Sequence, residues 1–287
     1  MTLPLEMVRD IKNLRKKGFS YKEVAKQFEI SPATSYKYSC HIKLSKQAKK
    51  RLNLIIKRTQ LKFKRKYSCL KKIKINHKTL TVEKVRILSH CFWDGHISKW
   101  TVSYGNISKD LIEEFKGDML EVYGVYPDKE YKLKRDSRQD IYIINYYSKV
   151  VCDDLLRYSP SFSTSSSEAA IPQQILNCQN RLIVKEFLRV LWEDEGSISH
   201  NGLIRVKIKG KYIRDQLIKL HKKFAIELSP YRESGDNYGI YIKSNLRNLQ
   251  KFDEVCFRLS SVTYGKNKGR LKYNVFRSLI DNNLSSI

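Results

Sequence analysis

Two stretches of this chain repeat one another, and the repetition constrains the fold more than any other feature. “RILSHCFWDGHISKWTVSYGNISKDLIEEFKGDMLEVYGV” (86–125) lies over “FLRVLWEDEGSISHNGLIRVKIKGKYIRDQLIKLHKKFAI” (187–226) at a constant offset of 101 residues, without a gap. Asp94 falls on Glu195, Gly95 on Gly196, and Ile97-Ser98 on Ile198-Ser199. Ile107 meets Ile208, Ile112 meets Ile213, and Tyr123-Gly124-Val125 meets Phe224-Ala225-Ile226. With a further two-residue shift, “DIYII” (140–144) faces “GIYIK” (239–243). Few letters are identical, yet apolar character and element order persist, which marks a duplicated fold.

Each unit reads as an apolar helix ending in acid–Gly, two strands, an amphipathic helix, two strands and a closing helix. Thr81 and Asn180 stand where side-chain caps open the leading helices. The second of these is apolar nearly all round, with Ile183, Val184, Phe187, Leu188, Val190, Leu191 and Trp192. Such a helix is expected to pack against its repeat counterpart. It ends in Glu193, Asp194 and Glu195, where the helix dipole disfavours each acid by roughly 0.3–1 kcal/mol. Taken alone, three acids there read as a frayed, solvated helix end.

The expected organisation is a helical module over 1–45, a basic linker or helix over 46–79, a first repeat over 80–158, a Ser-rich connector over 159–175 and a second repeat over 176–287. In the first segment Val8, Ile11 and Leu14 recur at helical spacing and stop at Gly18. Ser20 is placed to cap a second short helix, and Ser31-Pro32 to open a third. From Ile30 to Val82 there is no Asp or Glu against sixteen Lys/Arg, so this stretch is expected to follow a phosphate backbone.

Fifty-six Lys/Arg against 29 Asp/Glu leave a net charge of +27, which makes nucleic acid the expected partner through counterion release. No apolar run approaches the ~18–20 residues of a membrane span, so no membrane partner is expected. Glu6 and Asp10 interrupt the first twenty residues, which argues against a secretory or transit peptide. The six cysteines form no C-x-x-C pair and read as reduced, mostly buried thiols. A reducing compartment follows: cytoplasm, nucleoid or organellar matrix rather than secretion.

“ILSHCFWDG” (87–95) and “LRVLWEDEG” (188–196) resemble two degenerate copies of the LAGLIDADG motif. Two copies about a hundred residues apart resemble the single-chain LAGLIDADG homing endonucleases, over roughly residues 80–280. “AAIPQQILNCQNRLIVKEFLRVLWEDEGSI” is the strongest stretch. The resemblance implies an α+β fold of tandem αββαββα units related by a pseudo-two-fold axis, acting as a monomer with an internal pseudo-dimer. It implies that Asp94 and Glu195, each just before the final glycine, are catalytic and ligate a divalent cation, with Mg²⁺ the best fit. Lys266, with Lys268 beside it, resembles the family's late lysine. Glu193 takes a structural position, and Asp194 is expected to face solvent. Ser89 retains a small residue where the helices should touch, and Val190 does not.

The three N-terminal helices resemble a helix-turn-helix of the resolvase or transposase type, which would turn Ala33, Thr34, Tyr36 and Lys37 of the third helix to DNA. “IRVKIK” (204–209) alternates strictly, with Arg205, Lys207 and Lys209 on one face. The aligned first-repeat strand offers Tyr104 and Asn106, and the next hairpin Lys132, Lys134, Arg135 and Arg138, for base-edge or phosphate contacts. The implied activity is Mg²⁺-dependent hydrolysis of double-stranded DNA at a long asymmetric site. Two alternatives share the scaffold: a DNA-binding regulator retired from cleavage, and a group I intron RNA maturase binding intron RNA.

Overall fold

In the computed structural model of the chain, residues 3–68, 73, 75, 76, 79–134, 140–162, 169–199, 202–233, 235, 237–256 and 271–284 are described. They form two units, Met1–Lys72 and Ile73–Ile287.

The first unit holds α1 (Leu5–Lys16), α2 (Tyr21–Gln27), α3 (Pro32–Ser39) and α4 (Lys46–Ser68). Its caps are those the sequence advertises. Ser20 Oγ accepts the Glu23 amide at 3.2 Å while the Glu23 carboxylate accepts the Ser20 amide at 2.7 Å, a complete capping box. Ser31 Oγ accepts the Thr34 amide at 3.0 Å, with Pro32 in the first turn. The basic segment is more than a tether. Gly18 turns at φ +85°, and a β-carbon there would lie 2.8 Å from Ala48 Cα, so α4 begins by packing on the α1–α2 turn. The Arg51 guanidinium then lies 3.7 Å from the centre of the Phe19 ring.

The second unit contains the duplication. Its first half runs α5 (Val82–Trp93), β1 (Gly95–Ile97), β2 (Val102–Asn106), α6 (Lys109–Tyr123), β3 (Lys129–Leu133), β4 (Ile141–Tyr146) and α7 (Lys149–Leu156). After α8 (Gln173–Leu176), the second half runs α9 (Arg181–Asp194), β5 (Ser197–Ile198), β6 (Ile204–Lys209), α10 (Lys211–Lys222), β7 (Leu228–Arg232), β8 (Asn237–Ile242) and α11 (Leu246–Cys256), followed by α12 (Lys272–Leu284). The two antiparallel sheets share one topology, β1-β2-β4-β3 and β5-β6-β8-β7. This is the expected tandem αββαββα architecture.

Thr81 and Asn180 cap α5 and α9 as expected. The two helices pack on one another, and most of their side chains are buried in one continuous core. Each large apolar side chain sequestered there contributes roughly 1.5–3 kcal/mol. At the seam Ser89 Oγ donates to the Phe187 carbonyl at 2.9 Å and accepts from Trp93 Nε1 at 2.9 Å, so its small size lets backbone and side chain meet.

The ungapped register fails in the strands. Ile97 pairs with Val102 around loop 98–101, whereas Ile198 pairs with Ile204 around loop 199–203. The second hairpin is one residue longer. The counterparts of Tyr104 and Asn106 are therefore Val206 and Ile208, not Arg205 and Lys207. Likewise Tyr142, paired with Asn106, corresponds to Tyr238, paired with Ile208, rather than to Tyr241. A slip of one residue turns every side chain to the opposite face of the sheet.

Candidate active site and nucleic-acid face

Asp94 and Glu195 end α5 and α9 as their C-terminal caps. Both glycines that follow are forced by close approach. A β-carbon at Gly95 would lie 2.6 Å from Cys91 Cα, and one at Gly196 would collide with the Trp192 carbonyl. The acid–Gly ending thus lets each chain leave its helix and enter a strand at once.

Asp194 does not face solvent. Its carboxylate is fully sequestered and reaches into the first repeat, accepting from Tyr104 Oη at 2.8 Å and lying 2.9 Å from His90 Nδ1. Asn106 Nδ2 donates to Asp94 at 3.0 Å and to Asp194 at 3.3 Å, bridging the acids of the two repeats. Tyr104 and Asn106, expected on the DNA face, are 0% and 8% exposed and belong to this inner site. The one-residue difference in hairpin length is the physical reason. Their alternation with buried Val102 is the signal that places them inside.

A buried ion network continues along the seam. Arg86 donates from Nε to Asp118 at 2.9 Å and lies 3.4 Å from Glu186. Arg189 pairs with Glu114 at 2.8 Å, Glu186 at 3.1 Å and Glu193. Glu193 is thus a structural acid, as its motif position implies. His90 Nε2, 3.4 Å from Glu114, links the network to Asp194. Burial alone would lower the His90 pKa, but Asp194 and Glu114 overcome it and push it up to about 9.

Asp94 and Glu195 each keep a solvent-facing side with packed protein behind it. Desolvation, then the fields of Asp194 and Glu195, push the Asp94 pKa up to about 8. Desolvation and Asp194 push Glu195 up to about 7. Lys272, which the sequence reading missed, opposes this together with His90 at Asp94 and by itself at Glu195. Its Nζ donates to the carbonyls of Glu193 at 2.7 Å and Trp192 at 3.3 Å, capping α9, and it lowers the pKa of both acids. Lys266 and Lys268 lie outside the described residues.

Among the described residues the site is short of positive charge and offers hard oxygen donors, which fits a divalent cation completed by water or phosphate oxygens. Among the described residues no group of three or more His, Cys, Asp or Glu is arranged to hold a metal by itself. Asp94 and Glu195 are the accessible donors, and Asp194 is already committed to Tyr104, His90 and Asn106.

The outer sheet faces differ. On β6 Arg205, Lys207 and Lys209 point outward while Ile204, Val206 and Ile208 are buried, as the alternation predicts. Lys207 pairs with Glu233 at 2.7 Å. On the first sheet Lys132 pairs with Asp140 and Lys134 is exposed, while Arg135 and Arg138 lie outside the described residues. On α3 Ala33, Tyr36 and Lys37 are exposed; the Thr34 hydroxyl is drawn into the Ser31 cap at 2.8 Å. Cys91, Cys152 and Cys256 are buried free thiols, Cys178 is half-buried and Cys40 exposed. Among the described residues no helix is long and apolar enough to cross a membrane.

No family model and no curated protein matches the chain. Solved structures similar to it include mesophilic variants of the homing endonuclease I-DmoI, at 16% identity over 61% of this chain and 94% of that one, with a TM-score of 0.45. The homing endonuclease I-WcaI bound to its DNA recognition sequence is similar at 14% identity over 64% and 82%, TM-score 0.46. Full-length DUF199/WhiA from Thermatoga maritima is similar at 12% identity over 74% and 63%, TM-score 0.47.

Proposed function

We propose that the chain is a divalent-cation-dependent DNA endonuclease of the homing type, hydrolysing phosphodiester bonds at a long asymmetric duplex site. The observation that carries this is the meeting of Asp94, Asp194 and Glu195 at the adjoining ends of α5 and α9, with the Asp94 and Glu195 pKa values raised. Acids held against one another and against two helix C-termini are disfavoured until a cation arrives. Asp94 and Glu195 would hold it, and Mg²⁺ suits oxygen donors that leave room for water and phosphate. When bound, such an ion supplies charge neutralisation at the scissile phosphate.

The protein's own groups keep the acids in place. Asn106 orients Asp94 and ties it to Asp194, while Tyr104 and His90 hold Asp194 away from solvent. Arg205, Lys207 and Lys209, with the basic N-terminal unit, would grip the phosphate backbone. In this reading α3 is a recognition helix, presenting Ala33, Tyr36 and Lys37. The enzyme would act as a monomer, its two repeats serving as the halves of a pseudo-dimer.

The test is nicking of a randomised duplex pool with and without Mg²⁺, read alongside binding. The expected result is cleavage that EDTA stops and that Asp94→Asn abolishes while binding persists. Retained Mg²⁺-dependent cleavage by that variant removes Asp94 from the site. A binding-only regulator is the second reading, and Lys272 favours it: the site already holds a cation of its own. Specific binding without nicking at any Mg²⁺ concentration would establish that reading.

A further inference from the structure

The outer face of the first sheet is built for a different task from that of the second. Pair by pair, Ser103, Gly105, Ile143, Ile141, Tyr131 and Leu133 stand where the second sheet has Arg205, Lys207, Gly239, Asn237, Tyr231 and Glu233. The second face is cationic; the first is apolar. Tyr131 is 41% and Leu133 45% exposed, with Ile141 and Ile143 half-buried beside them. Ile143 leans over Gly105, whose added β-carbon would sit 3.3 Å from Ile143 Cγ1 and 3.6 Å from Ile141 Cγ2. The isoleucines, the leucine and the tyrosine therefore form one connected surface.

Its rim is basic. Lys129 Nζ lies 4.7 Å from the centre of the Tyr131 ring, and Lys134 is exposed next to Leu133. Nearby acids are engaged, Glu130 with Lys116 at 3.2 Å and Asp140 with Lys132. An apolar centre with a cationic rim, on a chain of net charge +27, matches a polyanion that exposes methyl groups between its phosphates. In the major groove of DNA only thymine among the four bases offers such a group, its C5-methyl. A second copy of this chain would bring like charges together.

We propose that the first sheet reads thymine methyls, so that its half-site is thymine-rich while the half-site under Arg205, Lys207 and Lys209 is not. The inference rests on the chain binding duplex DNA as proposed above. The full-length chain is used to select binding sites from random duplexes, and each thymine of the selected site is then replaced singly by deoxyuridine. Arg205→Ala identifies the half-site of the second sheet by the positions at which it relaxes selection. In the other half, each deoxyuridine is expected to weaken binding about 3- to 5-fold, the effect of one buried methyl. Leu133→Asn, an exposed change that spares the core, is expected to remove part of that penalty.

Three results would overturn the proposal, and they are distinguishable. A selected site indifferent to deoxyuridine in both halves sinks the methyl reading and leaves DNA binding standing. No selected duplex at all removes both. A concentration-dependent dimer in sedimentation, abolished by Leu133→Asn, would assign the patch to a second copy instead.

Discussion

The first repeat turns its polar groups inward and the second turns them outward. In the first, Tyr104 and Asn106 face the helix ends and hold acids; their counterparts Val206 and Ile208 are apolar and simply pack. On the outer faces the contrast reverses, with cations on β6 and Gly105, Ile141 and Ile143 on the first sheet. Among the described residues, the two buried histidines follow the same division. His90, among carboxylates, is pushed up to about 9, whereas His221, buried among apolar groups, is pushed down to about 4. One scaffold occurs twice, and one copy holds acids on the inner face of its sheet while the other carries cations on its outer face.

The strongest way to break this contrast is at the seam that joins the halves. Arg189→Met leaves the buried carboxylates of Glu114, Glu186 and Glu193 without their shared guanidinium. It should cost about 4 kcal/mol in urea unfolding. Less severe is Ile208→Asn, which gives the second repeat the first repeat's inner residue without an acid to receive it. A loss of about 3 kcal/mol is expected, from the buried amide and the missing apolar side chain. The reverse exchange, Asn106→Ile, should cost about 2 kcal/mol, because the Ser108 amide and Asp194 each lose a buried partner, and should abolish nicking, because Asp94 loses its donor.

His221 sharpens the comparison through pH. Its Nδ1 lies 2.8 Å from the Leu217 carbonyl and Nε2 accepts from Trp192 Nε1 at 2.9 Å, so the neutral ring is already satisfied. Burial lowers its pKa from 6.5 to about 4 in the folded chain. The contribution is therefore present above about pH 6.5 and lost as pH falls toward 4. Between pH 7 and 5 the His221-dependent loss of stability should be about 2 kcal/mol, absent in His221→Gln. The smallest effect belongs to the outer face. Lys209→Ala should change stability by less than about 0.5 kcal/mol and reduce the salt slope of DNA binding by about 0.9.

Much of this molecule could be read from its letters because the relevant signals are local. Ser20, Ser31, Thr81 and Asn180 announce helix starts, and all four cap as expected. The strict alternation of “IRVKIK” settles which side of β6 is buried. What escaped depends on relations between distant segments. One extra residue in the 199–203 loop carries no compositional mark, yet it exchanges the faces assigned to Tyr104 and Asn106. Among three consecutive acids, which one turns inward is decided by partners on another helix and strand, here His90 and Tyr104 for Asp194. Lys272 gave no warning either, since a lysine beside “GRLKYNV” in a chain this basic is unremarkable until its ammonium is seen on the end of α9.

That ammonium ties together parts of the chain that leave the ribosome far apart in time. α9 is synthesised, with its carbonyls and acids at one end, 79 residues before the lysine that caps Glu193 emerges. Until residue 272 appears, the end of α9 lacks the ammonium that caps the Trp192 and Glu193 carbonyls. The contact that closes the end of α9 therefore forms only after the second sheet and α11 have been made.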